Sequence, residues 1–118
     1  MTEIFGEPLK SVALDDFLAA VNRTAPGLIR TEADELSYSL HVLIRYEIEK
    51  MLIEDDVPVT DLPEIWNRKY EEYLGVRPGN DAEGALQDIH WSQGSFGYFP
   101  SYALGSAFGA QIYFHMKK

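Results

Sequence analysis

The sequence predicts a mainly α-helical chain, on three observations. Leu14, Phe17, Leu18 and Val21 recur at the i, i+3, i+4, i+7 spacing of an amphipathic helix. The stretch from Arg30 to Glu54 contains neither Gly nor Pro, the two residues that most often break a helix. No convincing period-2 run marks a strand. With 118 residues the chain is one domain or part of a larger one. Surface scaling for its 13.4 kDa gives about 6,500 Å² exposed when folded against about 19,000 Å² unfolded, enough burial for a single core.

Residues 1–10, with Gly6 and Pro8, read as an extended lead-in. The first helix holds Leu14 to Val21 and is stopped by Pro26-Gly27. A long helix is expected from about Arg30 to Glu54. Its apolar stripe is Ala33, Leu36, Leu40 and Leu43, extended by Tyr46, Met51 and Leu52, with Glu47, Glu49 and Lys50 as polar positions. Asp55 to Pro58 is a loop. Asp61-Leu62-Pro63-Glu64 then reads as a helix start, with Asp61 as cap, Pro63 in the first turn and Glu64 completing a capping box. Leu62, Ile65, Trp66 and Tyr73 are expected to face inward, and Gly75 to end that helix. A short helix over about Asp81 to His90 and a glycine-punctuated loop over Ser92 to Pro100 precede a last helix from about Ser101 to Met116.

Charge is distributed unevenly. All 19 acidic residues lie within residues 1–90, and the net charge is −9. Residues 91–118 carry no acid, two lysines and 8 of the 15 aromatic side chains. A chain so acidic has no electrostatic pull toward phosphate backbones, so no nucleic-acid partner is expected. The apolar stretch Phe96 to Met116 contains Pro100, Gln111, His115 and three glycines, unlike a membrane span. It packs inside something larger, against another chain, or as the central helix of its own core. Residues 1–10 show no secretory signal, which makes a cytoplasmic location the expectation. The absence of cysteine excludes a disulfide scaffold, a zinc–thiolate site and a thiol nucleophile.

Two clusters carry possible chemistry. In Ile29-Arg30-Thr31-Glu32-Ala33-Asp34, an arginine at a helix entry can grip a carboxylate through two parallel hydrogen bonds, or can pair on the surface with Asp34. The second cluster is Gly84-Ala85-Leu86-Gln87-Asp88-Ile89-His90-Trp91, followed by Tyr98, Phe99 and Tyr102. Asp88 can orient His90 or hold it charged. Tyr98 and Tyr102, four residues apart, can aim two phenol hydroxyls at one point and so suit a developing oxyanion. The competing description is an aromatic core with satisfied polar tips. His41, His90 and His115 form no i, i+4 pair and no His-Glu-x-x-His string, so no metal site is expected from these residues. The small residues Gly105 and Gly109, with their alanine neighbours, form a packing face.

These motifs, in this order, resemble the thermostable carboxypeptidase Taq family of metallopeptidases, family M32. That family carries Ile/Asn-Arg-x-x-Ala/Asp and, later, Gly-x-x-Gln-Asp-x-His-Trp. Here they read Ile29-Arg30-Thr-Glu-Ala33 and Gly84-Ala-Leu-Gln87-Asp88-Ile-His90-Trp91. Asp61-Leu-Pro-Glu-Ile-Trp66-Asn67 and Gly97-Tyr-Phe-Pro-Ser-Tyr-Ala-Leu-Gly105 add to the likeness, which runs from about Leu14 onward.

The resemblance implies a helical, homodimeric, zinc-dependent enzyme (or one using another divalent metal) that removes residues from the C-termini of peptides. It implies that Arg30 receives the substrate's terminal carboxylate and that His90 contacts the substrate or the tetrahedral intermediate. Gln87, Asp88 and Trp91 would position His90, and Tyr102, or failing that Tyr98, would donate to the oxyanion. The family's His-Glu-x-x-His motif and its glutamate ligand have no counterpart here, so residues 1–118 are expected to be a partial domain, a helical fragment inactive alone. Its Met1 would be an added or internal start, and helices would be missing after Lys118. Exposed apolar surface on residues 96–116 would then favour a dimer or a swapped arrangement. The alternative is a non-catalytic acidic helical module that binds peptide C-termini or a protein partner.

Overall fold

The computed structural model describes Gly6 and residues 9–118. The extended lead-in expected over residues 1–10 therefore lies largely outside the described residues. Four α-helices follow in order: α1 (Leu14–Val21), α2 (Tyr38–Glu54), α3 (Leu62–Leu74) and α4 (Pro100–Met116). Single 3-10 turns occupy Arg30–Glu32, Val59–Asp61 and Trp91–Gln93, and no strand occurs among the described residues.

The long helix begins eight residues later than the sequence predicts. Residues 30–32 form one 3-10 turn, and Ala33 is extended at φ −66°, ψ 143°. The break is held by Asp34. Its Oδ1 accepts the Ser37 N–H and its Oδ2 the Ala25 N–H, both at 2.8 Å. These backbone hydrogen bonds hold the Asp34 carboxyl below its ordinary pKa. The carboxylate satisfies the N–H of Ser37 just ahead of α2 and ties this turn to the backbone at Ala25, which accounts for a break in a region free of Gly and Pro.

The buried face of α2 is also not the predicted stripe. Leu36 is 75% exposed, and Leu43 and Tyr46 are exposed as well, whereas His41, Val42, Ile44, Arg45, Ile48 and Glu49 are buried. Three polar residues at i, i+4 spacing lie on the inward face, so hydrophobicity alone rotates the helix the wrong way. Leu40, Met51 and Leu52 do pack against the core, at its margin.

Helix α3 has its expected ends but a different start. Asp61 is itself helical and makes no side-chain cap, because the 3-10 turn Val59–Asp61 runs directly into α3. The capping box is not formed, and Glu64 Oε2 instead accepts from Arg77 at 2.7 Å. Gly75 closes the helix in the left-handed region at φ 68°, where a β-carbon would be strained. Ile65 and Trp66 are buried as expected, joined by Tyr70 and Leu74.

Residues 81–90 form successive turns rather than the expected short helix. Asn80 Oδ1 accepts the Glu83 N–H at 3.1 Å, and the Leu86 and Gln87 N–H groups donate to Asp81 and Gly84 carbonyls. Gly84 lies inside this coil, where an added β-carbon would sit 3.3 Å from the Asn80 carbonyl oxygen. A tight coil of this kind lets consecutive side chains point at different elements, which a helix would not.

The core groups Ile44 and Ile48 of α2 with Ile65, Trp66, Tyr70 and Leu74 of α3, and Ala85. Trp66 stacks on Tyr70 with ring centroids 5.0 Å apart, and Trp91 meets Trp66 edge-on at 5.8 Å. Helix α4 is not the central helix of this core: it contains no buried residue. Its Leu104, Phe108, Ile112, Phe114 and Met116 are all exposed. The surface is accordingly 8393 Å², above the roughly 6,500 Å² expected of a compact chain of this mass. The radius of gyration is 18.3 Å, against about 13.5 Å for a compact chain of this length. No helix among the described residues is long and apolar enough to cross a membrane.

Candidate functional site

Gln87 and Asp88 leave the 81–90 coil in different directions and tie three segments together. The Gln87 amide Nε2 donates to the carbonyls of Leu28 (3.0 Å) and Glu83 (2.8 Å). Its Oε1 accepts the Arg30 backbone N–H and Arg45 Nη2, each at 2.9 Å. One neutral side chain thus fixes the backbone on which Arg30 stands.

Asp88 is shared between two guanidiniums. Its Oδ1 accepts Arg30 Nε at 3.1 Å and Nη2 at 2.7 Å. Its Oδ2 accepts Arg45 Nε and also lies 2.6 Å from Arg45 Nη2. Burial alone would push the Asp88 carboxyl up, but the hydrogen bonds and charges of the two arginines outweigh it and hold the group below its usual range. Burial likewise opposes the charge on Arg30, yet pairing with Asp88 wins and raises its pKa. Arg30 is therefore a buried member of an ion-pair network, 7% exposed, and its partner is Asp88 rather than Asp34. Its Nη1 also donates to the Tyr38 hydroxyl at 3.2 Å, and the guanidinium carbon lies over the rings of Tyr102 (5.1 Å) and Phe99 (5.6 Å).

His90 sits at the edge of this network in an aromatic enclosure. Phe99 approaches its ring to 4.5 Å, and Tyr98 stacks at 5.8 Å. Tyr102, not Tyr98, brings its hydroxyl to the imidazole, 3.1 Å from Nε2. The two tyrosines meet edge to face at 5.3 Å. Tyr98 lies before α4 rather than within it, and it is the Tyr102 hydroxyl that hydrogen-bonds the imidazole. His90 Nδ1 is buried without a hydrogen-bond partner, 3.9 Å from Asp88 Oδ1. That distance exceeds a hydrogen bond. Asp88 spends its oxygens on the arginines. Gln87 spends its amide on backbone carbonyls and Arg45. The Trp91 indole donates to Glu49 Oε1 at 2.8 Å. None of the three makes a hydrogen bond to His90. What encloses its ring is aromatic packing, anchored where Glu49 Oε2 accepts the Gly97 N–H at 3.0 Å.

Four contributors escaped the sequence argument. Arg45, Glu49, Tyr38 and Tyr70 have no local motif, since each reaches the site through tertiary contact. A usable signal exists for Arg45. It lies in register with Val42, Ile44 and Ile48, and a cation on an apolar helix face requires an anion across from it. His41, which belongs to neither sequence cluster, is fully buried and places Nδ1 3.0 Å from the Tyr70 hydroxyl. His115 lies exposed near the end of α4.

Burial, then the charges of Arg45 and Arg30, lowers His41 from 6.5 to about 4. The folded state therefore favours neutral imidazole. The stability this gives is complete above the unfolded pKa of 6.5 and is lost as pH falls through about 4. Urea titrations between pH 7 and pH 4 should show a loss on the order of 2–3 kcal/mol from this group. His41→Gln should flatten that pH dependence, and an unchanged slope would contradict the assignment.

Among the described residues no group of three or more His, Asp or Glu side chains is placed to hold a metal ion. The carboxylates at the site are already committed to guanidinium and N–H donors. The described residues therefore do not fit a metal centre.

The sequence profile of the Carboxypeptidase Taq (M32) metallopeptidases matches residues 1–118. The chain is 58% identical over 103 residues to Carboxypeptidase 1 of Bacillus subtilis, covering 87% of this chain and 21% of that protein. It is 48% identical over 111 residues to Thermostable carboxypeptidase 1 of Thermus thermophilus, covering 94% of this chain and 22% of the relative. Among solved structures, a carboxypeptidase of Pyrococcus furiosus superposes with a TM-score of 0.93 at 40% identity, over 98% of this chain and 23% of that one. The chain thus spans about a fifth of the length of the relatives it matches.

Proposed function

Because the chain belongs to the carboxypeptidase Taq (M32) family of metallopeptidases, we propose that it forms part of a metal-dependent carboxypeptidase and supplies groups that receive the C-terminal end of a peptide. The supporting observation is the charge count beside His90: two guanidiniums share one carboxylate, which leaves one positive charge in a chain of net charge −9. An anion is drawn to such a spot, and a peptide's terminal carboxylate is the anion the family's reaction offers.

In this reading Arg30 attracts the terminal carboxylate, and His90 contacts the substrate or the tetrahedral intermediate. Tyr102 donates to the oxyanion, with its hydroxyl already at His90. Tyr98 lines the imidazole. Gln87, Asp88 and Trp91 hold the surrounding frame. Zinc, or another divalent metal, held by residues other than those described, would supply carbonyl polarisation and an activated water in the intact enzyme. The described residues offer no ligand set for the metal, and in this reading residues 1–118 are a partial domain without hydrolytic activity of their own. A cytoplasmic homodimer completes the proposal. The apolar residues exposed along α4 favour self-association.

The test is binding rather than turnover. N-acetyl-Ala-Phe as the free acid should bind the purified chain about tenfold more tightly than its C-terminal amide, the difference expected of one charge-assisted contact. Equal affinities, read from the indole and imidazole NMR signals, would overturn the carboxylate role. Robust zinc-dependent release of phenylalanine by the 118-residue chain alone would overturn its inactivity.

A further inference from the structure

Arg45 is a fully buried charged side chain. All of its N–H groups are engaged. Nε and Nη2 meet Asp88 Oδ2, Nη2 also donates to Gln87 Oε1 at 2.9 Å, and Nη1 donates to the His41 carbonyl at 2.7 Å and the Tyr70 hydroxyl at 3.2 Å. The guanidinium carbon lies 4.7 Å from the Trp66 ring. A planar fork of five donors stacked on an indole is an environment that only arginine satisfies in full.

Two of these partners are the ones that hold Arg30. Gln87 Oε1 accepts from both Arg45 Nη2 and the Arg30 backbone N–H. Asp88 gives one oxygen to each guanidinium. Arg45 therefore restrains Arg30 at two points without touching it. It also sets the charge. Among the described residues Asp88 is the only carboxylate within 4.0 Å of either guanidinium. Glu49, one turn along α2, is held by the Trp91 indole and the Gly97 N–H. Without Arg45, Arg30 and Asp88 would be a self-neutralised pair.

We propose that Arg45 is a positioning residue for substrate recognition: by drawing off one oxygen of Asp88 it leaves Arg30 with an uncancelled positive charge for the terminal carboxylate of a peptide. The inference rests on the reading of Arg30 as the carboxylate receiver, and the test separates the two.

Binding of N-acetyl-Ala-Phe free acid and of its amide is measured for the full chain and for Arg45→Gln and Arg45→Lys. The unaltered chain should prefer the acid about tenfold. Arg45→Gln should reduce that preference to less than about threefold by weakening the acid alone, with amide affinity unchanged. Arg45→Lys restores the charge without the fork and should keep most of the preference. It also carries the test if the glutamine variant does not fold. A loss of acid and amide affinity in equal proportion in either variant would show that Arg45 acts only as scaffold, and would overturn the inference. Full acid preference in Arg45→Gln would overturn it too. No acid preference in the unaltered chain would instead defeat the reading of Arg30.

Discussion

Asp88→Ala should destabilise the chain by about 3–5 kcal/mol, because it strands two buried guanidiniums that now share one carboxylate. Arg45 is fully buried and Arg30 largely so, and neither guanidinium is well solvated in place. Removing the anion leaves both with the desolvation cost and without the attraction that offsets it. A domain stable by about 5–15 kcal/mol loses much of its margin to such a change. Urea denaturation followed by tryptophan fluorescence reads the effect directly. A loss below about 1 kcal/mol would show that the network relaxes into solvent and that the buried ion pairs are not integral. Acid should mimic part of the mutation. The Asp88 pKa is lowered by its partners, so its contribution is present above the ordinary value of 3.8 and is lost as pH falls below that through the folded pKa.

Trp66→Ala should cost about 3–5 kcal/mol by a different route, the cavity left by a large core side chain. Trp66 is fully buried between Tyr70, Trp91 and the Arg45 guanidinium. Its loss removes the surface on which Arg45 rests, so the cavity opens directly beneath the ion-pair network. With so much of α4 outside the core, little apolar packing remains to absorb the change. Phe108→Ala is the matching control: an equally aromatic residue, 59% exposed on α4, should cost no more than about 0.5 kcal/mol. Thermal melts of the two variants measure the contrast. Similar losses at both positions would contradict the location of the core.

Helix identity was largely legible in the sequence, and helix orientation was not. The spacing of Leu14, Phe17, Leu18 and Val21, the Pro63 near the start of α3 and the Gly75 stop are local signals, and local signals survive folding. The start of α2 failed because its cause is Asp34, whose carboxylate reaches back to Ala25 as well as forward to Ser37. Its inward face failed because the core is partly ionic. Glu49 reads as a polar surface position and Arg45 carries no local motif until Trp91, Gln87 and Asp88 arrive from more than forty positions away. The expected helix over residues 81–90 failed for a related reason, since a coil distributes Gln87 and Asp88 to separate partners. At the site, the nearness of His90 to Tyr102 followed from sequence order. The anchoring of Arg30 did not, because nothing near it in sequence indicates that its counter-ion lies at position 88.

Helix α4 starts at the site, and its later residues are exposed. Its 17 residues make a rod of about 25 Å. Phe99 is the buried pivot, and the side chains around that pivot are the ones touching the imidazole. The geometry is that of a lever with its short arm at His90 and its long arm along the exposed part of α4. A tilt of about 5° that displaces the tip by about 2 Å moves the Tyr102 hydroxyl by only a few tenths of an ångström. The separation of phenol and imidazole is therefore little changed by displacement of the distal residues.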